Sequence, residues 1–218
     1  VPLPTNKTLR QVVKGGTGIA ALNGTSFGRL NPDGTFTPGF SLSYLKGLTY
    51  NSRVGYYVTT DYAGVGTAHI CGSPGVNSCS PLRTFSPTRD IEAITYVPSK
   101  DIYYAVDFID SANSTLRLFK FDASFNPLGT LNLSKPLPFA LNIIQLKTLN
   151  NKIIYICGDE VYCIDPDTGA VSFVNPQLDN LAIRFGDSKE SLEVVTFSES
   201  TLNTTNVITS LSIMSLRQ

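Results

Sequence analysis

A hydrophobic phrase recurs along this chain about every 45 residues. Leu48-Thr49-Tyr50, followed by Tyr56-Tyr57-Val58 and Asp61, is one copy, and Ile94-Thr95-Tyr96, followed by Tyr103-Tyr104-Ala105 and Asp107, is the next. A looser copy runs from Leu146-Lys147-Thr148 through Ile154-Tyr155-Ile156 to Asp159. A weaker one runs from Leu181-Ala182-Ile183 through Leu192-Glu193-Val194 to Glu199. The apolar residues form short β-branched and aromatic runs between polar turns, which is the pattern of strands. Strand-built repeats of roughly 40 to 50 residues point to an all-β chain folded as a β-propeller, one four-stranded blade per repeat.

Strands are expected over 54–60, 102–108, 116–121, 152–157, 192–197 and 207–216. Helical periodicity is nearly absent, because 17 Gly and 13 Pro leave few uninterrupted windows. A turn design echoes between the third and fourth strands of a repeat: Asn31-Pro32-Asp33-Gly34, Asp122 through Gly129, and Asp165-Pro166-Asp167-Thr168-Gly169. Each begins at an Asx side chain that can bond the backbone two residues on, and each holds a glycine for positive φ. Counting repeats gives blades over 9–40, 46–86, 91–134, 142–175 and 180–217 in a single domain, residues 1–218. The expectation is five blades of about 43 residues, with four or six as alternatives. The last unit has three strands, and residues 9–13 are expected to supply its fourth and close the ring.

Only 16% of residues are charged, and 17 basic residues balance 17 acidic ones without a Lys/Arg cluster. A nucleic-acid partner or an anionic lipid surface needs a positive face, so both are disfavoured. No apolar run approaches the ~18 residues of a membrane-spanning helix. The start, Val1-Pro2-Leu3-Pro4, lacks the design of a signal peptide and is read as a processed end.

The four cysteines form two close pairs, Cys71/Cys79 and Cys157/Cys163, each bracketing a turn. Two hairpin disulfides are expected, since opposed residues of a hairpin stand at the separation a disulfide needs. Zinc fits the spacings poorly, although His69, the sole histidine, stands two residues before Cys71. Free thiols are the third option. Five N-x-Ser/Thr sequons begin at Asn6, Asn23, Asn113, Asn132 and Asn203. Sequons and paired cysteines together suggest a secreted or cell-surface glycoprotein.

The segment from Ala93 to Asp122, with an apolar strand, Tyr103-Tyr104 followed by Asp107, and Phe119-Lys120-Phe121-Asp122, resembles an NHL- or YWTD-type propeller repeat. Residues 47–61 and 152–165 share parts of it, although the chain has no Trp and so no Tyr-Trp-Thr-Asp tetrapeptide. The resemblance implies the fold only, because propellers host binding, adhesion and catalysis alike.

Asp61, Asp107 and Asp159, with Glu199, end successive second strands and are the candidate metal or acid–base residues. A ring of carboxylates suits calcium, and a pair about 5 to 9 Å apart suits glycoside hydrolysis. The alternative reading makes each Asp a turn residue accepting backbone N–H bonds. Tyr57 and Tyr104 are the candidates for a ligand-stacking surface, against packing between blades. The glycine run from Lys14 to Ala21 imitates a phosphate loop but lacks the helix that chemistry requires. No Gly-x-Ser-x-Gly elbow exists, and no catalytic residue is assigned. The favoured function is a non-catalytic binding, adhesion or structural module with no resident cofactor, whose partner is an extracellular protein, a glycan or another copy of itself. The alternative is a small hydrolase, a glycosidase or a cation-dependent lactonase-like enzyme, using carboxylates at the central channel.

Overall fold

The computed structural model describes residues 11–16, 18–23, 25–62, 66–84, 91–108, 116–138, 144–157, 160–173, 181–186, 192–202 and 205–216, the last three stretches as backbone alone. Every described element is a strand. The first blade contains β1 (Gln11–Gly15), β2 (Gly18–Leu22), β3 (Ser26–Leu30) and β4 (Phe36–Ser41). The second contains β5 (Leu45–Asn51), β6 (Tyr56–Tyr62), β7 (Gly66–Cys71) and β8 (Ser80–Thr84). The third contains β9 (Ile91–Val97), β10 (Ile102–Phe108), β11 (Leu116–Asp122) and β12 (Pro127–Leu131). The fourth contains β13 (Ile144–Leu149), β14 (Lys152–Cys157), β15 (Glu160–Ile164) and β16 (Val171–Phe173). Each is an antiparallel sheet in chain order, the meander of a propeller blade.

Four blades are complete, which corrects the expected five. The last repeat gives a three-stranded sheet, β17 (Leu181–Gly186), β18 (Leu192–Leu202) and β19 (Thr205–Leu216). Two of its strands are long, β18 of 11 residues and β19 of 12, paired with each other from Leu192↔Leu216 to Leu202↔Thr205. Nor does the N-terminal segment act as a closing outer strand. Gln11–Gly15 is the first strand of blade one, pairing with β2 from Gln11↔Leu22 to Gly15↔Gly18.

First strands lie side by side around the axis, β1 against β5, β5 against β9 and β9 against β13, with β17 against β1. Three apolar cores fill the spaces between consecutive blades. Val13, Leu22 and Phe27 meet Leu45, Leu48 and Tyr57 between blades one and two. Val58 and Ala68 meet Ile94, Tyr103 and Phe121 between blades two and three. Val97, Tyr104 and Val106 meet Leu146, Ile153 and Tyr155 between blades three and four. Neighbouring tyrosines thus face opposite ways, as the two-residue period of a strand requires: Tyr103 packs on blade two and Tyr104 on blade four.

Turn chemistry follows the residue types. Asp33 Oδ1 accepts the Thr35 amide, Asp122 Oδ1 accepts the Ser124 and Asn126 amides, and Asp165 Oδ1 accepts the Asp167 and Thr168 amides. Gly34 and Gly169 take the positive φ of the first and third of these turns, 84° and 71°, and Phe125 takes it in the Asp122 turn at 62°. In the first-to-second-strand turns, Asp101, Asn150 and Asn151 hold φ of 57°, 47° and 61°, a region that short Asx side chains tolerate. The outer strand of one blade also reaches the third-to-fourth turn of the next. Phe40 N donates to Val76 O at 2.6 Å, Arg83 Nη1 to Asn126 Oδ1 at 2.8 Å, and Ser134 N to Gly169 O at 2.9 Å.

Candidate functional site

Side chains on the first strands lace the blades together near the axis. Leu48 N donates to Gln11 Oε1 at 2.8 Å, linking β5 to β1, and Tyr96 N donates to Thr49 Oγ1 at 3.1 Å, linking β9 to β5. Thr95 and Thr148 share a hydroxyl–hydroxyl bond of 2.9 Å between β9 and β13. Lys147 Nζ then donates to Val12 O at 2.7 Å, carrying the circuit from β13 back to β1. Gln11, Thr49, Thr95 and Lys147 are all buried. The spacing is tight enough that a Cβ on Gly47 would stand 2.7 Å from Thr60 Oγ1 and 2.9 Å from Ile94 Cγ2.

Of the candidate carboxylates, Asp61 and Asp107 have described side chains, and both are buried within their blades. Asp61 lies on β6, on the face of blade two that packs on blade one, and is 5% exposed. Its Oδ1 accepts the Thr67 amide at 2.9 Å, and its Oδ2 stands 2.9 Å from His69 Nε2. His69 is itself buried, with its ring 5.2 Å from that of Phe40 on β4. The register explains the pair: Asp61 opposes Thr67 and His69 opposes Thr59, so Asp61 and His69 are diagonal neighbours on one face. His69 Nδ1 and Thr59 Oγ1, directly opposed, find no hydrogen-bond partner among the described residues. Asp107 is buried at the matching place on β10. Asp159 lies outside the described residues, and of Glu199 only the backbone is described. Among the described residues, no three His, Cys, Asp or Glu side chains are grouped to hold a metal ion.

Tyr57 and Tyr104, weighed as ligand-stacking candidates against packing between blades, are 0% and 1% exposed. Each spends its hydroxyl on a neighbouring blade: Tyr57 donates to Gly18 O at 2.7 Å and Tyr104 to Pro166 O at 3.3 Å. Burial, with Asp167 and Asp165 nearby, pushes the Tyr104 phenol up to about 12. The Tyr103 hydroxyl oxygen instead accepts a hydrogen bond from Asn51 Nδ2 of blade two at 2.6 Å, and burial raises its phenol further. These tyrosines are staples between blades, and a Cβ on Gly15 would collide with Tyr57 Oη at 2.4 Å.

Cys71 and Cys79 form the expected disulfide, with Cα atoms 4.6 Å apart. It cinches the loop whose Val76 carbonyl receives the Phe40 amide and whose Pro74 carbonyl receives Arg29 Nη2 at 3.4 Å. Cys157 and Cys163 are not disulfide-bonded, which corrects the second expected bond. In register Cys157 opposes Glu160 and Cys163 opposes Ile154, an odd offset that sends the two thiols to opposite faces of blade four. Cys157 packs in the core shared with blade three, and Cys163 beside Ile154 and Val161 on the other face. Of the sequons, Asn23 is half-buried with Oδ1 accepting the Ser26 amide, and Asn132 is exposed. Asn6, Asn113 and Asn203 lie outside the described residues.

A polar surface crosses blades two to four at their turns. Arg53 Nη1 meets Asp101 Oδ2 at 2.6 Å between blades two and three, and Lys100 meets Asp167 between blades three and four. Lys152 meets Asp165 at 2.5 Å within blade four. The Lys152 ammonium, followed by the Asp167 and Thr168 amides, holds the Asp165 carboxyl far below its ordinary value. Tyr96 donates to Asp101 Oδ1 at 2.6 Å, fixing that carboxylate from behind. The sequence gives little sign of this rim, because its partners are 48 and 67 residues apart.

No family model and no curated protein sequence matches the chain. Its backbone is similar to that of XC5397, a gluconolactonase from Xanthomonas campestris, with a TM-score of 0.58 and 11% identity over 86% of this chain and 69% of that one. The likeness is one of fold. A protein of unknown function from Bacteroides thetaiotaomicron gives a TM-score of 0.59 at 12% identity, covering 90% of this chain and 56% of that one. U3-55K gives 0.53 at 12% identity, covering 89% and 62%. The chain therefore shares the β-propeller architecture with longer proteins of different kinds, and function has to be argued from its own residues.

Proposed function

We propose that this chain is a non-catalytic recognition module of an extracellular protein, presenting the charged rim of blades two to four to a protein partner. The observation that carries the reading is the alternation Arg53–Asp101, Lys100–Asp167, Lys152–Asp165, which runs over three blades and is braced by Tyr96. Fixed turns on a rigid scaffold suit binding, because little ordering entropy is lost on docking. Mixed signs in alternation suit a protein surface and not a polyanion. The Cys71–Cys79 bond and the accessible Asn132 sequon support an oxidising, glycosylating compartment. A hydrolase would need an acid–base pair open to substrate, and the chain's only histidine is sealed with Asp61 between blades one and two.

The test is a binding screen of the secreted, glycosylated protein against arrayed ectodomains and glycans, run beside lactone and glycoside substrates. Saturable binding to an ectodomain, weakened by salt and by about tenfold or more in R53A/K100A, is expected, with no turnover. Hydrolysis that disappears in D61N, or ectodomain binding indifferent to R53A/K100A, would overturn the proposal.

A further inference from the structure

Three aromatic rings line one face of blade four from its core to its outer edge. The register sets them directly opposite one another, Tyr155 on β14 against Tyr162 on β15, and Tyr162 against Phe173 on β16. Ring centroids are 6.2 Å apart in the first pair and 5.1 Å apart in the second. Exposure rises along the row: Tyr155 is sealed in the core shared with blade three, Tyr162 is half-buried, and Phe173 is 47% exposed. Polar groups stand at the edge of the middle ring. Tyr162 donates its hydroxyl to Glu160 Oε2 at 2.9 Å, and Lys135 Nζ lies 5.9 Å from the ring centroid. An aromatic platform that continues the core and opens to water marks a contact surface.

The strand that ends in Phe173 is tied to a sequon. Asn132-Leu133-Ser134 follows β12, and Ser134 is bonded to the start of β16: its N–H donates to Gly169 O, and its Oγ accepts the Val171 amide, both at 2.9 Å. Asn132 is exposed. Asn23, the other sequon asparagine with a described side chain, is half-buried and holds the Ser26 amide. Three residues of chain, at most about 10 Å, separate Asn132 from the Lys135 that lies over the Tyr162 ring, which is within reach of core sugars.

We propose that Asn132 carries an N-linked glycan whose core sugars pack on the Tyr162 and Phe173 rings and cover this flank of blade four. A pyranose offers an apolar C–H face to an aromatic ring, and its rim of hydroxyl and amide groups can bond Glu160 and Lys135. The proposal rests on the extracellular reading above, since a sequon is used only in a secreted or surface chain.

The whole chain, secreted from eukaryotic cells, is tested by glycopeptide mass spectrometry and by melting temperature. Asn132 should be occupied. N132Q should lower the melting temperature by about 2 to 4 °C in the parent and leave it unchanged in F173A, where the glycan has already lost its platform. If F173A fails to fold, F173L, which keeps apolar bulk without a ring, carries the comparison. Losses that simply add would overturn the ring contact. A bare Asn132 beside other occupied sequons would overturn the proposal and leave the extracellular reading standing, whereas no occupied sequon at all would overturn both.

Discussion

Removing the Cys71–Cys79 bond tests how the first two blades are held, and its effect can be worked from the structure. The bond closes a loop with a sequence separation of 8, for which chain entropy gives about 2.5 kcal/mol. For a chain of 218 residues that is a fall of about 5 to 10 °C in melting temperature for C71A/C79A. Cys71 is fully buried, so truncating it to Ala adds to the loss. The second effect is local. Val76 and Pro74 sit inside the closed loop and receive the Phe40 amide and the Arg29 guanidinium of blade one. Opening the loop frees those carbonyls, and the Phe40 amide should exchange with solvent faster than its neighbours on β4.

Calorimetry and residue-resolved hydrogen exchange read the two effects separately. A thiol titration in denaturant checks the premise: two thiols, Cys157 and Cys163, should react before reduction and four after. The Cys163 thiol, raised by burial, should react slowly in the native protein at neutral pH. An absence of reactive thiols before reduction would mean that Cys157 and Cys163 are bonded, and the register argument for opposite faces would be wrong. An unchanged melting temperature in C71A/C79A, or a lower one with Phe40 still as protected as in the parent, would refute the clasp.

Further outcomes follow from the tyrosine staples and the buried pair. Y57F keeps the packing but strips Gly18 O of its 2.7 Å donor, so urea unfolding should show a loss of about 1 to 3 kcal/mol, and G15A should lose more because its Cβ meets Tyr57. D61N keeps an acceptor for the Thr67 amide but gives up the carboxylate beside His69, and its loss in the same assay should fall in a similar range. Tyr104 is raised to about 12 in the folded protein, so its contribution is intact below about 10 and is lost as pH rises through about 12. A spectrophotometric titration should show a late class of tyrosines that ionises together with alkaline unfolding. Tyr104, Tyr103 and Tyr155 titrating near 10 in the folded state would count against their burial.

The repeat carried most of the architecture because it is a direct record of packing. Tyr57, Tyr103 and Tyr155 recur since each fills the same place against the preceding blade, and a strand that must be buried on both faces cannot alternate with polar residues. Asp33, Asp122 and Asp165 were readable as turn residues for an equally local reason, since an Asx side chain bonds a backbone only two residues away. The unread features all depend on distance or parity. Nothing near Arg53 announces Asp101, and Lys147 meets Val12 across 135 residues. The Cys157–Cys163 error is different, because register was the missing quantity: a turn one residue longer or shorter would have placed both thiols on one face. The preferred count of five gave way to the alternative of four where the repeat was weakest, at a last sheet of three strands, two of them of 11 and 12 residues.

One consequence concerns where function can reside in such a chain. The residues that stand out in the sequence do so because they repeat, and they repeat because every blade contact makes the same physical demand. Tyr57, Asp61, Tyr103 and Tyr104 meet that demand and are buried in meeting it. A partner or ligand breaks the symmetry of the ring, so its contacts should lie where the blades differ. Lys147 stands where the second and third blades have Thr49 and Thr95, and the Arg53–Asp101 and Lys100–Asp167 pairs occur on one arc of the propeller. In a repeat protein, departure from the repeat is therefore the better pointer to a site, and R53A/K100A probes the clearest departure on the surface.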